Sequence, residues 1–317
     1  MVPRLAEMYD EPFGDSSQIP TFLVSQLARQ QVTVSLSGDG GDELFAGYHR
    51  YFLTRSLWRK LKNVPPRLRK MSAGLIRSVP PATIDAVYRQ ASKFTGNPKR
   101  LTNVGDKSHK LAAFFPLPDP ESIYIQALSL WSNPSELVPG CHEPDTVTRF
   151  PQECSWLPTL EEVMMLTDSV NYLPDDILTK VDRASMAVSL EARVPLIDHR
   201  VFEFAWRLPL SMKIRDGVSK WILRQVVYKY LPQELIDRPK MGFGVPIADW
   251  LRGPLRAWAE DMLSQNVFER HGLLNQELVR SRWKEHLSGK RNWHYQLWNV
   301  LVFHDWYLHN CRVLQRV

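Results

Sequence analysis

The sequence is poor in cysteine and has no long apolar run. Its 317 residues include three cysteines without CxxC spacing, so neither a disulfide framework nor a zinc site is indicated. No uninterrupted apolar stretch is long enough to span a bilayer, and the first ten residues lack the apolar segment of a signal peptide. These absences predict a cytoplasmic protein.

What is present is a globular composition with a basic surplus. Apolar residues form 44% of the chain and charged residues 23%, with a formal net charge of +6, values that allow one large domain or two ordinary ones. Residues 55–70 hold seven basic side chains and no acid, which we interpret as a solvated connector rather than a polyanion site. No zinc-finger, RNA-recognition or KH signature accompanies it, so nucleic acid is not predicted as a partner.

The most informative segment combines a strand, a glycine-rich turn and a helix start. The β-branched run Val32–Leu36 predicts a strand, and we predict helices at Pro20–Gln30 before it and Glu43–Leu61 after it. This order is typical of a parallel α/β unit, whose strand-to-helix turns hold phosphorylated ligands. One strand cannot form a sheet, so the other strands are either supplied elsewhere or absent.

The turn carries three acids, Asp39, Asp42 and Glu43. They would repel phosphate unless a divalent cation lay between or the neighbouring ligand were cationic, which indicates Mg-nucleotide chemistry near an amine or ammonia. Acids in a first helical turn also occur as plain caps, and the loop alone leaves both interpretations open. Calcium is disfavoured because Gly41 falls where an EF-hand needs an oxygen ligand.

The rest of the chain is predicted to be helical. Residues 62–155 alternate helical patches with proline-rich breaks and suggest an irregular insertion. From Leu157 onward the pattern predicts almost only helix. Near the end, apolar residues and His304 recur at helical spacing, so we interpret the histidines and tryptophans there as core and edge residues rather than a metal site.

Three further segments contain charged motifs. In 173–186 we predict that a helix ends before Pro174, that Asp175 caps the next one, and that Asp176 and Lys180 pair across one turn with Arg183 on the same face. The two interpretations of this segment are a salt-bridged helix surface, which the spacing favours, and a partly buried polar network beside a site. The segment Gly217–Arg224 predicts a basic entry to an amphipathic helix. In Arg238–Pro246, two glycines and two prolines surround Lys240, which is either a solvated charge or a group positioned to grip phosphate oxygens.

Together these segments resemble the synthetase domain of glutamine-dependent asparagine synthetases. The resemblance runs in order along nearly the whole chain and is weakest in the middle. It is found in 10–13, 15–17, Ser37–Tyr48, Leu173–Met186, Leu190–Asp198, Gly217–Arg224 and Lys240–Pro246.

The resemblance implies an α/β, mostly helical fold. It would be an incomplete ATP-pyrophosphatase domain, like the adenine-nucleotide alpha-hydrolases, with a parallel sheet and a C-terminal helical lobe. The implied division is 1–61 for part of the α/β core, 62–155 for the insertion and 156–317 for the lobe that completes the site.

The resemblance also implies a reaction. ATP adenylates the side-chain carboxylate of aspartate, and ammonia from a glutaminase domain attacks the β-aspartyl-AMP to give asparagine. ATP and Mg²⁺ are the implied cofactors, and aspartate or another carboxylate is the implied substrate. No nucleic acid and no membrane are expected as partners, and a homodimer is allowed.

The family's functional positions fall on five residues of this sequence. Ser37 and Gly38 match its nucleotide-contacting pair, and Asp39 matches the acid tied to forming and aminating the acyl-adenylate. Many relatives carry glutamate at the Asp39 position, whose side chain is one methylene longer. Asp42 resembles the magnesium ligand, and Lys240 resembles the lysine that stabilises charge around the departing pyrophosphate.

Two parts of the family pattern do not occur in this sequence. The pyrophosphate-binding run Ser-Gly-Gly-x-Asp-Ser is not found, and Val2 follows Met1 where the glutaminase domain would present its processed terminal cysteine. We therefore expect a C-terminal fragment that does not make asparagine by itself. The alternatives are an amidotransferase for a sugar acid or peptide carboxylate, a catalytically dead interaction module, and a basic nucleic-acid binder.

Overall fold

The computed structural model describes residues 1–94, 104–142, 156–237 and 242–314. The chain is mostly helical with a small parallel sheet, as predicted. The α-helices are α1 Leu5–Met8, α2 Gln18–Arg29, α3 Gly41–Leu44, α4 His49–Leu61, α5 Pro66–Ser78, α6 Pro81–Phe94, α7 Val104–Ala112, α8 Pro120–Leu128, α9 Pro134–Leu137, α10 Leu160–Thr167, α11 Thr179–Met186, α12 His199–Arg207, α13 Leu210–Lys213, α14 Trp221–Val227, α15 Gln233–Ile236, α16 Ile247–Arg252, α17 Arg256–Met262, α18 Gln265–His271, α19 Gln276–Leu287 and α20 His294–Leu314. A π-helix, Asp168–Leu178, joins α10 to α11, and 3₁₀ turns occupy Val2–Arg4 and Pro195–Ile197.

The strands form two small sheets in the described part of the chain. They are β1 Val34–Leu36, β2 Glu191–Arg193, β3 Ile214–Arg215 and β4 Val218–Ser219. β1 and β2 are parallel, with Val34 opposite Glu191 and Leu36 opposite Arg193. The described chain after Leu157 is almost only helical, as expected, apart from the short strands β2, β3 and β4. β2, Glu191–Arg193, was not predicted. Those three residues carry no apolar run, and their extended form depends on pairing with β1.

The helix before β1 agrees with its prediction to within two residues. α2 spans Gln18–Arg29, and its buried side chains include Ile19, Phe22 and Ser25, which share one face at helical spacing. α2 packs against α11. β1 therefore starts after a helix that is anchored in the core.

The prediction of a single helix over Glu43–Leu61 is wrong. The chain breaks between α3 and α4, where Ala46 has a left-handed φ of 55° and the Gly47 amide donates to the Asp42 carbonyl at 2.8 Å. The break directs Leu44 and Phe45 into an apolar cluster with Ala205 of α12. Burial of these side chains outweighs the continuation of helical hydrogen bonding.

The helix end predicted before Pro174 is also wrong. The helical path continues through Pro174 inside the π-helix, whose wider i→i+5 turn accommodates a residue that an α-helical turn excludes. The Thr179 hydroxyl donates to the Pro174 carbonyl at 2.9 Å. Asp175 therefore lies inside a helix and caps none.

The chain divides into two compact units. The first contains Met1–Tyr51, Glu143–Arg270 and Trp298–Val317, and the second contains Phe52–His142 and His271–Leu297. In the second unit, the described segment that we predicted as a helical insertion forms α5 to α9, with fully buried Ile123 and Tyr124 on α8. The three-part division 1–61, 62–155 and 156–317 stays a prediction.

The long C-terminal helix follows the predicted spacing. Val300, Leu301, His304 and Leu308 are buried along α20, and the His304 imidazole contacts the Met262 carbonyl at 2.8 Å through Nδ1. His304 is thus a packed core residue, as predicted. Among the described residues, no helix is both long and apolar enough to cross a membrane.

Candidate functional site

The turn after β1 is fixed by the neighbouring parallel strand. The Ser37 amide donates to the Arg193 carbonyl at 2.8 Å, which continues the pairing of β1 with β2 by one residue. Gly40, with φ of 81°, then leads into α3, and a Cβ placed there would lie 2.8 Å from Ile197 Cγ2. A left-handed φ and this close approach both require glycine at Gly40.

Three of the predicted site residues lie together on this turn. The Ser37 hydroxyl donates to the Asp39 carboxylate, and the Asp39 amide lies 3.4 Å from Ser37 Oγ. Gly38 is exposed, and nothing lies within 4 Å of the place where its Cβ would be. The turn therefore presents a hydroxyl, an open backbone and a carboxylate at the carboxyl end of a parallel strand, where α/β proteins bind ligands.

The fourth predicted residue, Asp42, forms an ion pair with Lys220. Lys220 Nζ lies 2.9 Å from Asp42 Oδ1. Lys220 has a left-handed φ of 54°, and its amide donates to the Phe45 carbonyl at 3.1 Å. A Cβ on Gly47 would overlap both Asp42 Oδ1 and Lys220 Cε, so glycine at this position lets the two charged side chains meet.

Lys220 is a functional candidate that the sequence prediction missed. We interpreted Gly217–Arg224 only as the basic start of a helix, and α14 does begin there at Trp221. Lys220 could have been identified from its position at a helix start, shortly after Gly217. A tight turn there can direct the lysine side chain away from the helix. With Lys220 beside Asp42, the turn has a cation as well as acids.

Glu43, the third acid of the turn, lies in the core. It is 1% exposed, and the Tyr48 hydroxyl donates to its Oε1 at 2.5 Å. Burial raises the pKa of Glu43 above its ordinary value, although this hydrogen bond opposes the shift. Burial and the Glu43 carboxylate in turn raise the pKa of Tyr48. Glu43 therefore supports the turn from within rather than facing a ligand.

A second buried acid, Asp168, holds the start of α4. Its carboxylate accepts hydrogen bonds from Arg50 at 2.7 Å and from the Tyr51 hydroxyl at 2.5 Å. The Arg50 guanidinium also stands over the Tyr48 and Tyr172 rings, 3.9 and 4.5 Å from their centroids. This cluster connects the segment after the turn to the π-helix and limits its movement.

The charged motif of the π-helix reaches back to the N-terminal Asp-Ser-Ser run. Lys180 Nζ lies 2.7 Å from Asp15 and 3.4 Å from Asp176, and Asp15 also accepts from the Ser17 amide at 2.9 Å and hydroxyl at 2.5 Å. The predicted Asp176–Lys180 pair is present. The favoured interpretation as a helix surface is wrong, because Lys180 is 8% exposed and shared with Asp15. The alternative, a partly buried polar network, is what the structure shows.

The two carboxylates beside Lys180 have opposite pKa shifts. Burial and the neighbouring Asp15 raise the pKa of Asp176 to about 7, against the effect of Lys180. Burial would also raise the pKa of Asp15, but Lys180 and Ser17 lower it below its ordinary value. One ammonium cannot neutralise two buried carboxylates, so the nearer one, Asp15, stays ionised and Asp176 tends to hold a proton.

The fifth predicted residue, Lys240, lies outside the described residues, as do its neighbours from Arg238 to Met241. Its role therefore stays a prediction. The described chain resumes at Gly242 and enters α16, whose Ile247 is fully buried.

The residues present are compatible with Mg²⁺ bound together with a nucleotide. Among the described residues, no three histidine, cysteine or acidic side chains converge as a metal site. Asp42 offers one carboxylate, and Mg²⁺ is commonly held by one or two carboxylates, water and substrate phosphates rather than by a complete protein cage. Lys220 beside Asp42 would contribute a point charge to the same phosphates.

The comparison with known proteins identifies the family. The sequence profile described as asparagine synthase matches residues 1–308. The chain belongs to the asparagine synthase family. This confirms the resemblance found in the sequence and makes the chain a member of a family of carbon–nitrogen ligases.

Members of the asparagine synthase family match the chain over nearly its full length. Asparagine synthetase [glutamine-hydrolyzing] 1 of Bacillus subtilis is 28% identical over 306 residues, covering 96% of this chain and 45% of that protein. Putative asparagine synthetases [glutamine-hydrolyzing] of Mycobacterium bovis and Mycobacterium tuberculosis are 31% identical over 313 residues, covering 96% of this chain and 44% of theirs. The chain thus spans a little under half the length of these relatives.

Proposed function

We propose that this chain forms the carboxylate-activating part of an ATP-dependent ligase that converts aspartate to asparagine through β-aspartyl-AMP, with ammonia derived from glutamine. The observation that supports this is the turn Ser37–Asp39 at the carboxyl end of β1, followed at once by the Asp42–Lys220 pair. The names of the similar proteins favour this reaction over the other amidations.

In this proposal, each residue of the turn has a separate task. The exposed backbone at Gly38 and the hydroxyl of Ser37 contact the nucleotide. Asp39 accepts a proton from ammonium as the amine attacks the acyl carbon. Its hydrogen bond from Ser37 holds the carboxylate in position until substrate replaces the hydroxyl.

The charged residues around the turn would bind Mg²⁺ and stabilise the negative charge of the phosphates. Asp42 would hold Mg²⁺, which on binding shields the negative charge of the triphosphate. Lys220 and Lys240 would stabilise the charge that develops on pyrophosphate as it leaves, as preorganised cations do in transition states. The Asp42–Lys220 contact keeps the lysine in place before ligand arrives.

The open edge of β1 supports the assignment to a larger ATP-pyrophosphatase-like sheet. β1 pairs only with β2 among the described strands, and Leu36 is 74% exposed. Parallel sheets are normally covered on both faces. We propose that further strands, from another segment of the protein or another chain, complete the sheet and contribute the phosphate loop that this sequence does not contain.

The test is amide formation by the longest reading frame that contains this chain. We expect asparagine from aspartate, MgATP and glutamine or ammonia, with one AMP and one pyrophosphate for each amide. Asp39→Asn should reduce kcat by at least about a hundredfold while MgATP still binds, because a general base contributes in that range. Turnover of a sugar acid or peptide carboxylate in preference to aspartate would instead support an amidotransferase for that substrate.

A further inference from the structure

The second unit contains a cavity that the proposed ligase reaction does not use. Its volume is about 520 Å³, within the range of small-molecule sites, and it lies between α7, α8 and the segment before α20. Its lining includes three cations, a histidine and two large aromatic rings, supplied by Arg77, His109, Lys110, Phe114, Arg291 and Trp293.

The lining of the cavity carries more positive than negative charge. Arg77, Lys110 and Arg291 face a single acidic residue in the lining, Asp106, which leaves two positive charges in excess. Within the described parts of the chain, no carboxylate lies at ion-pair distance from any of these three cations. Basic groups without acidic partners attract anions, and low-dielectric walls strengthen the attraction.

Arg291 is held in position without losing its charge. Its guanidinium donates to His109 Nδ1 at 2.8 Å, and His109 Nε2 lies 2.8 Å from the Val79 carbonyl. A carbonyl oxygen only accepts, so Nε2 carries the proton and Nδ1 is a neutral acceptor. The guanidinium also stands 5.4 Å from the centroid of the Trp293 ring. His109 and Trp293 thus orient the guanidinium without a direct ion pair, and the Glu285 carboxylate acts on Arg291 only at longer range.

Apolar surface lies beside these charges. Phe114, Leu130 and Trp293 line the same cavity, and the Trp293 indole is fixed by donation to Glu285 at 2.8 Å. Fixed aromatic walls favour flat ligands, which lose little entropy on binding.

We propose that this cavity binds a small organic anion in which a planar apolar body carries a carboxylate or a phosphate. The anionic group contacts the Arg291 guanidinium, with Arg77 and Lys110 adding long-range attraction. The planar body lies against Phe114 and Trp293. Sulfates and free phosphate have the charge without the planar body, and neutral aromatics have the planar body without the charge. Both classes should therefore bind more weakly than an aromatic anion.

Calorimetric titration of the full chain tests both halves of the site. The probes are 2-naphthoate, 1-naphthyl phosphate, neutral 2-naphthalenemethanol and inorganic phosphate. We expect one-site binding of at least one naphthyl anion with a Kd below about 1 mM, and at least tenfold weaker binding of the neutral alcohol and of phosphate. The preferred naphthyl anion shows whether the natural anionic group is a carboxylate or a phosphate.

Variants locate the binding. Arg291→Gln should raise the Kd of the tighter-binding naphthyl anion by about tenfold or more, because it removes a charge-assisted hydrogen bond. The matched control is Arg89→Gln on α6, an exposed arginine of the same unit outside the cavity, which should change Kd less than twofold. If Arg291→Gln lacks a cooperative thermal transition, Arg77→Gln and Lys110→Gln replace it. Equal effects of cavity and control variants, equal affinity for the neutral alcohol, or no binding would overturn the proposal.

Discussion

At the scale of single residues, Gly47 offers the most direct test of the Asp42–Lys220 pair. A methyl group at this position would overlap both side chains. We expect Gly47→Ala to separate the pair and to lower the free energy of unfolding by about 1–3 kcal/mol, as overpacking does. Urea denaturation measures this loss.

The control for this substitution is Gly74→Ala. Gly74 lies on α5, and nothing is found within 4 Å of the place where its Cβ would be. The same change there should stabilise the chain by about 0.5–1 kcal/mol, because alanine loses less backbone entropy in a helix. A loss of stability at Gly74 equal to that at Gly47 would show that contact with Asp42 and Lys220 is not the cause.

Asp176 makes stability depend on pH in a direction opposite to most carboxylates. Its pKa is raised to about 7 in the folded chain, against about 3.9 in an unfolded one. The folded chain therefore holds a proton that the unfolded chain has released, and the stability from this group is lost as pH rises from about 4 through 7. The lowered pKa of Asp15 acts below that window.

Replacing Asp176 with asparagine should remove this dependence. We expect Asp176→Asn to be more stable than the parent chain at about pH 8 and nearly equal to it at about pH 4. Thermal unfolding at both pH values provides the measurement. Asp175→Asn, on the exposed neighbouring residue, controls for the change of side chain. A gain that is the same at both pH values would contradict the assigned proton on Asp176.

At the scale of elements, the open edge of β1 predicts self-association. Leu36 is 74% exposed, and among the described strands β1 has a partner on one edge only. Strand edges without a partner pair with other chains. We expect the purified chain to associate with increasing concentration and Leu36→Lys to suppress this in sedimentation experiments. Leu75→Lys on α5, where a similarly exposed leucine belongs to a helix with satisfied backbone bonds, should have a smaller effect. A monomer at all concentrations would contradict the prediction.

Elements encoded by local pattern were predictable, and elements formed by distant contacts were not. The α2 face and the α20 spacing depend on side chains one or two turns apart, so periodicity revealed them. β2 has no strand pattern of its own and exists because β1 lies beside it. The π-helix accepts Pro174 because its turn is wider, and sequence rules for α-helices do not contain that geometry.

At the scale of the whole molecule, we expect the purified 317-residue chain to release no pyrophosphate when aspartate, ammonia and MgATP are added. The reason is physical: β1 has only one described neighbour, and the sequence contains no Ser-Gly-Gly-x-Asp-Ser loop to hold the triphosphate. A coupled pyrophosphate assay provides the measurement. Clear aspartate-dependent release would show that the chain is sufficient by itself.

The candidate site was predictable only in part, because some of its contacts join residues that are far apart in the sequence. Ser37, Gly38, Asp39 and Asp42 belong to one short run, so a motif finds them together. Lys220 reaches Asp42 across the fold, and Lys180 reaches Asp15 across 165 positions of sequence. Such pairs arise from tertiary packing, and no spacing rule within one helix or strand predicts them.

The pairing of β1 with β2 also affects how the chain is made. Val34 of β1 cannot pair with β2 until Glu191 has been synthesised, about 157 residues later. At ribosomal rates of about 5–20 residues per second, this delay lasts roughly 8–30 s. During synthesis the apolar strand beside the candidate site stays uncovered for that time. The yield of native protein should therefore increase under conditions that slow aggregation, such as low temperature or added chaperones.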